Sequence, residues 1–209
     1  MKKFLIGLVL VVVGIASLLL IPSKQASAPM PWEITIMPDG QINVFDIHLG
    51  TTNYQQAQQA LSSYGKTSIF SEQDKADTVE AFFNSINMGG LSAKLVLNLV
   101  VDIDLIEKMK SRATEARLQP SGAHQYQLSN QDNATLINVA VSAITYIPSV
   151  RLTKEMILHR FGLTDLISQD PNNINTTIWQ YPTLGLTIYS NDSEKTIMQY
   201  QLIDPKMNF

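Results

Sequence analysis

An uncharged apolar stretch near the start of the chain, residues 4–21, limits the possible folds more than any other feature of the sequence. It begins at Phe4 and ends at Ile21. As an α-helix it would be about 27 Å long, close to the roughly 30 Å of a bilayer's hydrocarbon core. Lys2 and Lys3 precede it, and positive charges favour the cytoplasmic side of a membrane. The pattern therefore predicts a transmembrane helix, with the rest of the chain exported.

The alternative interpretation is a signal peptide that is cleaved after export. Ala26, Ser27 and Ala28 have the small-x-small form of a cleavage site. Pro29 would follow the cut directly, which disfavours cleavage, and the apolar run exceeds the usual signal core of about 7–15 residues. The two interpretations predict two localisations. One is a single-pass inner-membrane protein with its C-terminal domain in the periplasm, and the other is a protein secreted to the periplasm after cleavage near Ala28.

The sequence divides into four predicted segments. Residues 1–24 form the signal anchor, and residues 25–31, rich in proline and small side chains, form an extended tether. Residues 32–147 form a first α+β unit, and residues 148–209 form a second one. This division predicts a folded body connected by a short link to the membrane.

The charge balance and the absence of cysteine exclude several classes of function. Three of the 15 basic residues precede residue 25, whereas all 18 acidic residues follow it, so the exported part is acidic. Binding to nucleic acid through a basic patch is therefore not expected. A chain without cysteine has no disulfide, no thiol nucleophile, no thiolate metal site and no acylated cysteine as lipid anchor.

Hydrophobic periodicity in the exported part indicates an α+β fold of antiparallel strands, with short helices packed on one face. The pattern of residues 32–47 predicts a β-hairpin whose return strand continues to residue 47. Alternating apolar residues predict strands at 78–86 and 91–100, joined by a tight turn containing two glycines. Residues 53–64 are predicted to form a first helix, which Thr52 or Asn53 can cap and which Gly65 would end in a left-handed conformation. A second helix is predicted at residues 102–118, with Asp102 as its cap. Residues 124–128 are predicted to form a short strand.

Two stretches share the same order of elements: one begins with a predicted helix at residues 53–64 and the other with a predicted helix at residues 153–161. This order suggests two repeated units, each a helix followed by a meander of strands. The alternative is that any two α+β segments of this size would align equally well. The second stretch contains Leu152-Thr153, Phe161-Gly162, Trp179-Gln180-Tyr181 and Gly185-Leu186. In these residues it resembles the β-lactamase-inhibitor-protein-like fold, which includes the small lipoprotein of the outer-membrane barrel-assembly machine. The resemblance covers residues 151–202 and, more faintly, residues 49–100.

The resemblance implies a bacterial envelope protein that binds protein partners, and its extension to residues 49–100 implies two such units in tandem. It carries over no functional residue. The lipoprotein's acylated cysteine is missing here, so barrel assembly itself does not follow. Binding of another envelope protein, without catalysis, is the expected function.

No catalytic, cofactor-binding or metal-binding residue is predicted, and no cofactor is expected. The three histidines stand alone, without a second ligand at metal-binding spacing. Glu33, Glu72 and Glu80 are candidate carboxylates for acid–base chemistry, but no signal places two of them together. A hydrolase with a non-contiguous site, or a sensor domain that binds a small ligand, remains the alternative.

Aromatic side chains on the predicted strands are the remaining candidates for a binding site. Adjacent residues on a strand point to opposite faces, so one face of the sheet would expose aromatic rings. Exposed aromatic surface is typical of protein contacts. The predicted partner-binding residues are Phe82, Phe83, Trp179, Tyr181 and Tyr189.

Overall fold

A computed structural model describes residues 28–204 of the chain, so the predicted membrane helix and the last five residues lie outside the described part. The fold is α+β, with four short α-helices and two antiparallel sheets among the described residues. The helices are α1 (Tyr54–Ala60), α2 (Ile103–Ser111), α3 (Asn130–Leu136) and α4 (Lys154–Phe161). The strands are β1 (Thr35–Ile36), β2 (Ile42–Val44), β3 (Ile47–His48), β4 (Lys66–Ser71), β5 (Thr78–Met88), β6 (Leu91–Leu99), β7 (Glu115–Leu118), β8 (His124–Gln127), β9 (Val141–Pro148), β10 (Ile167–Asp170), β11 (Asn173–Tyr181), β12 (Leu186–Asn191) and β13 (Ile197–Gln201).

Ten of these strands form one continuous antiparallel sheet in the order β10-β11-β12-β13-β9-β6-β5-β4-β8-β7. A second sheet contains only β1, β2 and β3. The large sheet crosses the boundary that the sequence predicted between two units, because β9 pairs with β6 on one side and with β13 on the other.

One face of the large sheet, which we call the covered face, holds the hydrophobic core. Buried side chains lie opposite one another in register from strand to strand, as Leu95, Tyr146 and Met198 do on β6, β9 and β13. The helices contact this face: Phe161 of α4 packs 5.7 Å from Tyr181, measured between ring centroids. Side chains of this kind on both layers bury the apolar surface that neither layer could bury alone.

The start of the described chain also packs on the core. The residues from 28 to 31 fall in the predicted tether, yet Pro31 is buried and its carbonyl oxygen accepts a hydrogen bond of 2.6 Å from the Tyr200 hydroxyl. Trp32 stacks against the guanidinium of Arg160, 4.0 Å from the ring centroid. The chain therefore joins the body before residue 32.

The hairpin predicted at residues 32–47 forms, but its return strand is shorter than expected. β2 ends at Val44, and Phe45 and Asp46 take left-handed backbone angles, with φ of 57° and 59°, before β3 begins. Phe45 is fully buried, with its ring 5.1 Å from that of Tyr146. Core packing of this ring offsets an unfavourable turn for a bulky residue, which alternation alone does not reveal.

The helix predicted at residues 102–118 is wrong in its second half. α2 ends at Ser111, and Glu115–Leu118 is strand β7, which pairs with β8. Asp102 stands at the N-cap position, but its side chain accepts no capping hydrogen bond. The last buried helical residue is Met109, so beyond it sheet pairing satisfies the backbone better than further helix would.

Candidate functional site

The structure divides the five predicted aromatic residues between the two faces of the large sheet. Phe83, Trp179 and Tyr181 are 1%, 3% and 5% exposed, so they belong to the core and present almost no surface to a partner. Phe82 is 38% exposed and Tyr189 is half-buried. Both lie on the face opposite the core, which we call the open face. The partner-binding prediction for these two residues stays a prediction.

The pairing register shows which residues share the open face. Phe82 lies opposite Lys66 on one side and Val96 on the other. The same row continues through Thr145 and Gln199. All of these residues are half-buried or exposed, so the middle of the open face is a mixed polar and apolar surface.

A half-buried apolar band lies on the C-terminal half of the open face. Tyr189 of β12 pairs with Ile178 of β11 on one side and Ile197 of β13 on the other. None of the three is fully buried, although together they form a continuous apolar surface across three strands. We call these three residues the apolar band.

A groove of about 800 Å³ lies on the N-terminal half of the open face. Its floor comes from β5, β4, β8 and β7, and its rim from α1, α3 and the loops beside them. Its lining is rich in side-chain amides and hydroxyls. The lining residues are Tyr54, Gln58, Gly65, Lys66, Thr67, Ser68, Phe70, Glu80, Phe82, Val96, Glu115, Arg117, Gln119, Gln125, Gln127, Leu128, Asn130, Asn133 and Ile137.

Hydrogen bonds order the polar side chains of the groove. The Gln119 Nε2 donates to Gln125 Oε1 at 2.7 Å, and the Gln125 Nε2 donates to the Ser68 hydroxyl at 3.0 Å. The Arg117 Nε donates to Glu115 Oε1 at 2.6 Å. Because these residues stand on paired strands or close beside them, the positions of their polar atoms are largely preset.

Glu80 is the only one of the three candidate carboxylates in the lining of this groove. Burial raises the pKa of its carboxyl group, which accepts one hydrogen bond of 3.1 Å from the Thr78 hydroxyl. Its partners on the adjacent strands are Ser68 and Asn98, neither of them acidic. Glu115 stands three strands away, about 14 Å between backbones at a spacing of about 4.8 Å per strand. Neither carboxylate of the lining therefore has an acidic residue as its neighbour across a strand pair.

The other polar candidates have local partners of their own. Glu33 accepts a hydrogen bond from the backbone of Met30, and Glu72 pairs with Lys75. The backbone N–H of Gln41, together with the imidazole of a nearby histidine, holds the pKa of the Asp39 carboxyl below its usual range. Across residues 28–204, no three His, Asp or Glu side chains come together as potential metal ligands.

Comparison with known proteins provides no family assignment. No protein-family pattern matches the chain, and neither the curated proteins nor the solved structures include a significant match. In the part of the chain that the structure describes, no helix is both long enough and apolar enough to cross a bilayer.

Sequence reasoning missed the groove itself. Gln125 and Gln127 alternate on a predicted strand, which indicates that both face the same way, but nothing in the sequence places them beside Ser68. That neighbourhood depends on the pairing of β8 with β4, which joins distant parts of the chain.

Proposed function

We propose that this chain is a single-pass inner-membrane protein, held by residues 4–21, whose periplasmic body binds another envelope protein without catalysing a reaction. The observation that carries the binding role is the apolar band on the open face. Tyr189, Ile178 and Ile197 form apolar surface on a sheet face away from the core, and such surface is typical of protein contacts. The resemblance of residues 151–202 to the β-lactamase-inhibitor-protein-like fold supports the same function.

The order of strands supports the proposed duplication. One unit consists of α1 followed by β4, β5, β6 and β9, and the other consists of α4 followed by β10, β11, β12 and β13. Read outward from the contact between β9 and β13, each half of the sheet presents its strands in the same order. In this interpretation α2, β7, β8 and α3 are an insertion between the third and fourth strands of the first unit.

The way in which the chain enters the body supports an orientation relative to the membrane. Met30 lies against Gly89 at the tip of the hairpin formed by β5 and β6, and so does the backbone of Ala28. Six residues, 22–27, separate the proposed anchor from this point, and they can span at most about 20 Å. The hairpin tip would therefore face the membrane.

Site-specific photocrosslinking in living cells tests the binding role. We expect a photoreactive residue at Tyr189 to give one crosslinked product of defined mass, and Ile178→Arg to abolish it by placing a charge in the apolar band. The matched control carries the photoreactive residue in place of Tyr64, which is 87% exposed and lies outside the open face. This control should give no crosslinked product. Equal labelling at both positions, or none at Tyr189, would refute a binding role for the band.

The anchor is tested separately by the N-terminus of the mature protein. Retention of residues 4–21 predicts that the membrane fraction contains the intact N-terminal peptide by mass spectrometry, and that carbonate washing does not extract the protein. A mature N-terminus near Ala28, with the protein in the soluble periplasmic fraction, would instead show that the signal is cleaved.

A further inference from the structure

The groove between β7 and β5 has a lining chemistry that the proposed protein contact does not use. We propose that this groove binds a neutral, hydroxyl-rich ligand, namely an oligosaccharide. The inference rests on the groove alone and holds whether or not the apolar band binds a protein.

The side-chain amides of the groove are the first argument. A sugar hydroxyl both donates and accepts hydrogen bonds, and so does a glutamine amide, whereas a charged side chain does only one of the two. The Gln119–Gln125–Ser68 chain, with bonds of 2.7 and 3.0 Å, holds the central amide in one orientation and leaves its second N–H and its remaining lone pair for a ligand. Such preorganisation lowers the entropic cost of binding.

The charges of the lining are the second argument. They comprise two cations, Lys66 and Arg117, and two carboxylates, Glu80 and Glu115, so the groove has no net charge. Arg117 is also paired with Glu115 at 2.6 Å, so an anionic ligand would compete with that carboxylate for the guanidinium. A strongly charged ligand would meet a repulsive partner for each attractive one, which disfavours nucleic acids and acidic polymers.

The aromatic rings and the size of the groove are the third argument. Phe82 is 38% exposed and Phe70 is half-buried, and both line the groove. The face of an aromatic ring is negative, so it attracts the weakly positive C–H groups on the flat side of a sugar. The volume of about 800 Å³ suits a short oligomer and lies within the usual range for ligand sites, about 300–1,000 Å³. A peptide that adds to a sheet pairs with the backbone of an edge strand, whereas the lining of this groove consists largely of side chains on the face of the sheet.

Isothermal titration of the full-length chain tests the proposal. The protein should be held in lipid nanodiscs, because detergents with sugar headgroups would compete for the groove. The probes are neutral tetra- and hexasaccharides of glucose and of N-acetylglucosamine, with a sulfated oligosaccharide and an acidic peptide as charged comparators. We expect at least one neutral probe to bind, and Gln125→Ala and Phe82→Ala each to weaken it about tenfold, the effect of losing one good contact.

Gln199→Ala is the matched control, because Gln199 is the same residue type on the open face but does not line the groove. The affinity of this variant for the neutral probe should equal that of the parent protein. Thermal unfolding of each variant reports whether it is folded, and Gln119→Ala replaces Gln125→Ala if the latter is not. The proposal is overturned if no neutral probe binds, if a charged comparator binds more tightly, or if Gln199→Ala weakens binding as much as the groove variants.

Discussion

Two buried tyrosines in the core differ in one respect that can be measured. The Tyr146 hydroxyl is buried and has no hydrogen-bond partner among the described residues, whereas the Tyr200 hydroxyl donates to the Pro31 carbonyl at 2.6 Å. Both side chains are fully buried. We therefore expect Tyr146→Phe to raise the free energy of unfolding and Tyr200→Phe to lower it, although each variant removes the same single oxygen atom.

The magnitudes follow from the cost of leaving a polar group unpaired. A buried hydroxyl without a partner costs about 1–3 kcal/mol, so Tyr146→Phe should stabilise the protein by about 1 kcal/mol, or about 2–4 °C in Tm for a domain of this size. Tyr200→Phe removes a satisfied bond and orphans the buried Pro31 carbonyl, so it should destabilise by about 1–3 kcal/mol. Burial raises the pKa of both phenols, so both hydroxyls remain protonated donors at neutral pH.

Equilibrium unfolding in denaturant is the appropriate assay. The slope m should be the same for the parent and both variants, so that differences in midpoint report stability alone. The double variant should not be simply additive if the two hydroxyls interact. A loss of stability in Tyr146→Phe would refute the reasoning, because it would mean that this hydroxyl has a partner in solution.

Three further predictions concern the turns and an ion pair between the exposed side chain of Arg112 and the buried carboxylate of Asp132. Asp46→Gly should stabilise by about 0.5–1 kcal/mol in thermal unfolding, since Asp46 has a φ of 59° in a two-residue hairpin loop that favours glycine there. Gly185→Ala should lower the free energy of unfolding by more than about 2 kcal/mol, because an added Cβ would lie 2.4 Å from a backbone oxygen. Gly40→Ala should lower it by only about 1 kcal/mol, because an added Cβ would have nothing within 4 Å. Equal losses would contradict this. The guanidinium of Arg112 lowers the pKa of Asp132, so its contribution to stability is present above the unfolded-state pKa and is lost as pH falls through the folded-state value. Asp132→Asn should flatten that acid limb of the stability profile, and an unchanged limb would contradict the assignment.

Local signals in the sequence predicted the elements well where each residue's neighbours are enough to specify it. The hairpin of β5 and β6 was confirmed because buried and more exposed residues alternate along β6 and the turn holds Gly89 and Gly90, which take φ of 58° and 84°. On β5 the alternation is interrupted by a register shift between Phe83 and Ile86. The capping box of Asn53 and Gln56 likewise begins α1 where the sequence predicted a cap. Such signals act within a few residues and need no tertiary contact.

Local signals failed where a distant contact decided the conformation. Gly65 was expected to end the first helix in a left-handed conformation, but it is Ser62 that takes a φ of 47°. Gly65 instead makes room for the Phe83 ring, which would lie 2.7 Å from an added Cβ. Burial of Phe83 beneath the helix is a tertiary event, and the sequence alone cannot distinguish this close approach from a helix-ending turn.

In the candidate site, too, some features follow from local sequence signals and others from distant contacts. Adjacent residues on a strand point to opposite faces by geometry, so the sequence alone determined that Phe82 and Phe83 would be separated. It also determined that the chain after residue 24 would be acidic and free of thiols. Which of the two rings faces the core was decided only by tertiary structure. So was the groove, because the pairing of β8 with β4 places its glutamines beside Ser68, which lies opposite Glu80 on β5. Which distant strands pair depends on the apolar surface that the whole fold buries. A local sequence pattern does not report that total burial, so it cannot predict the pairing.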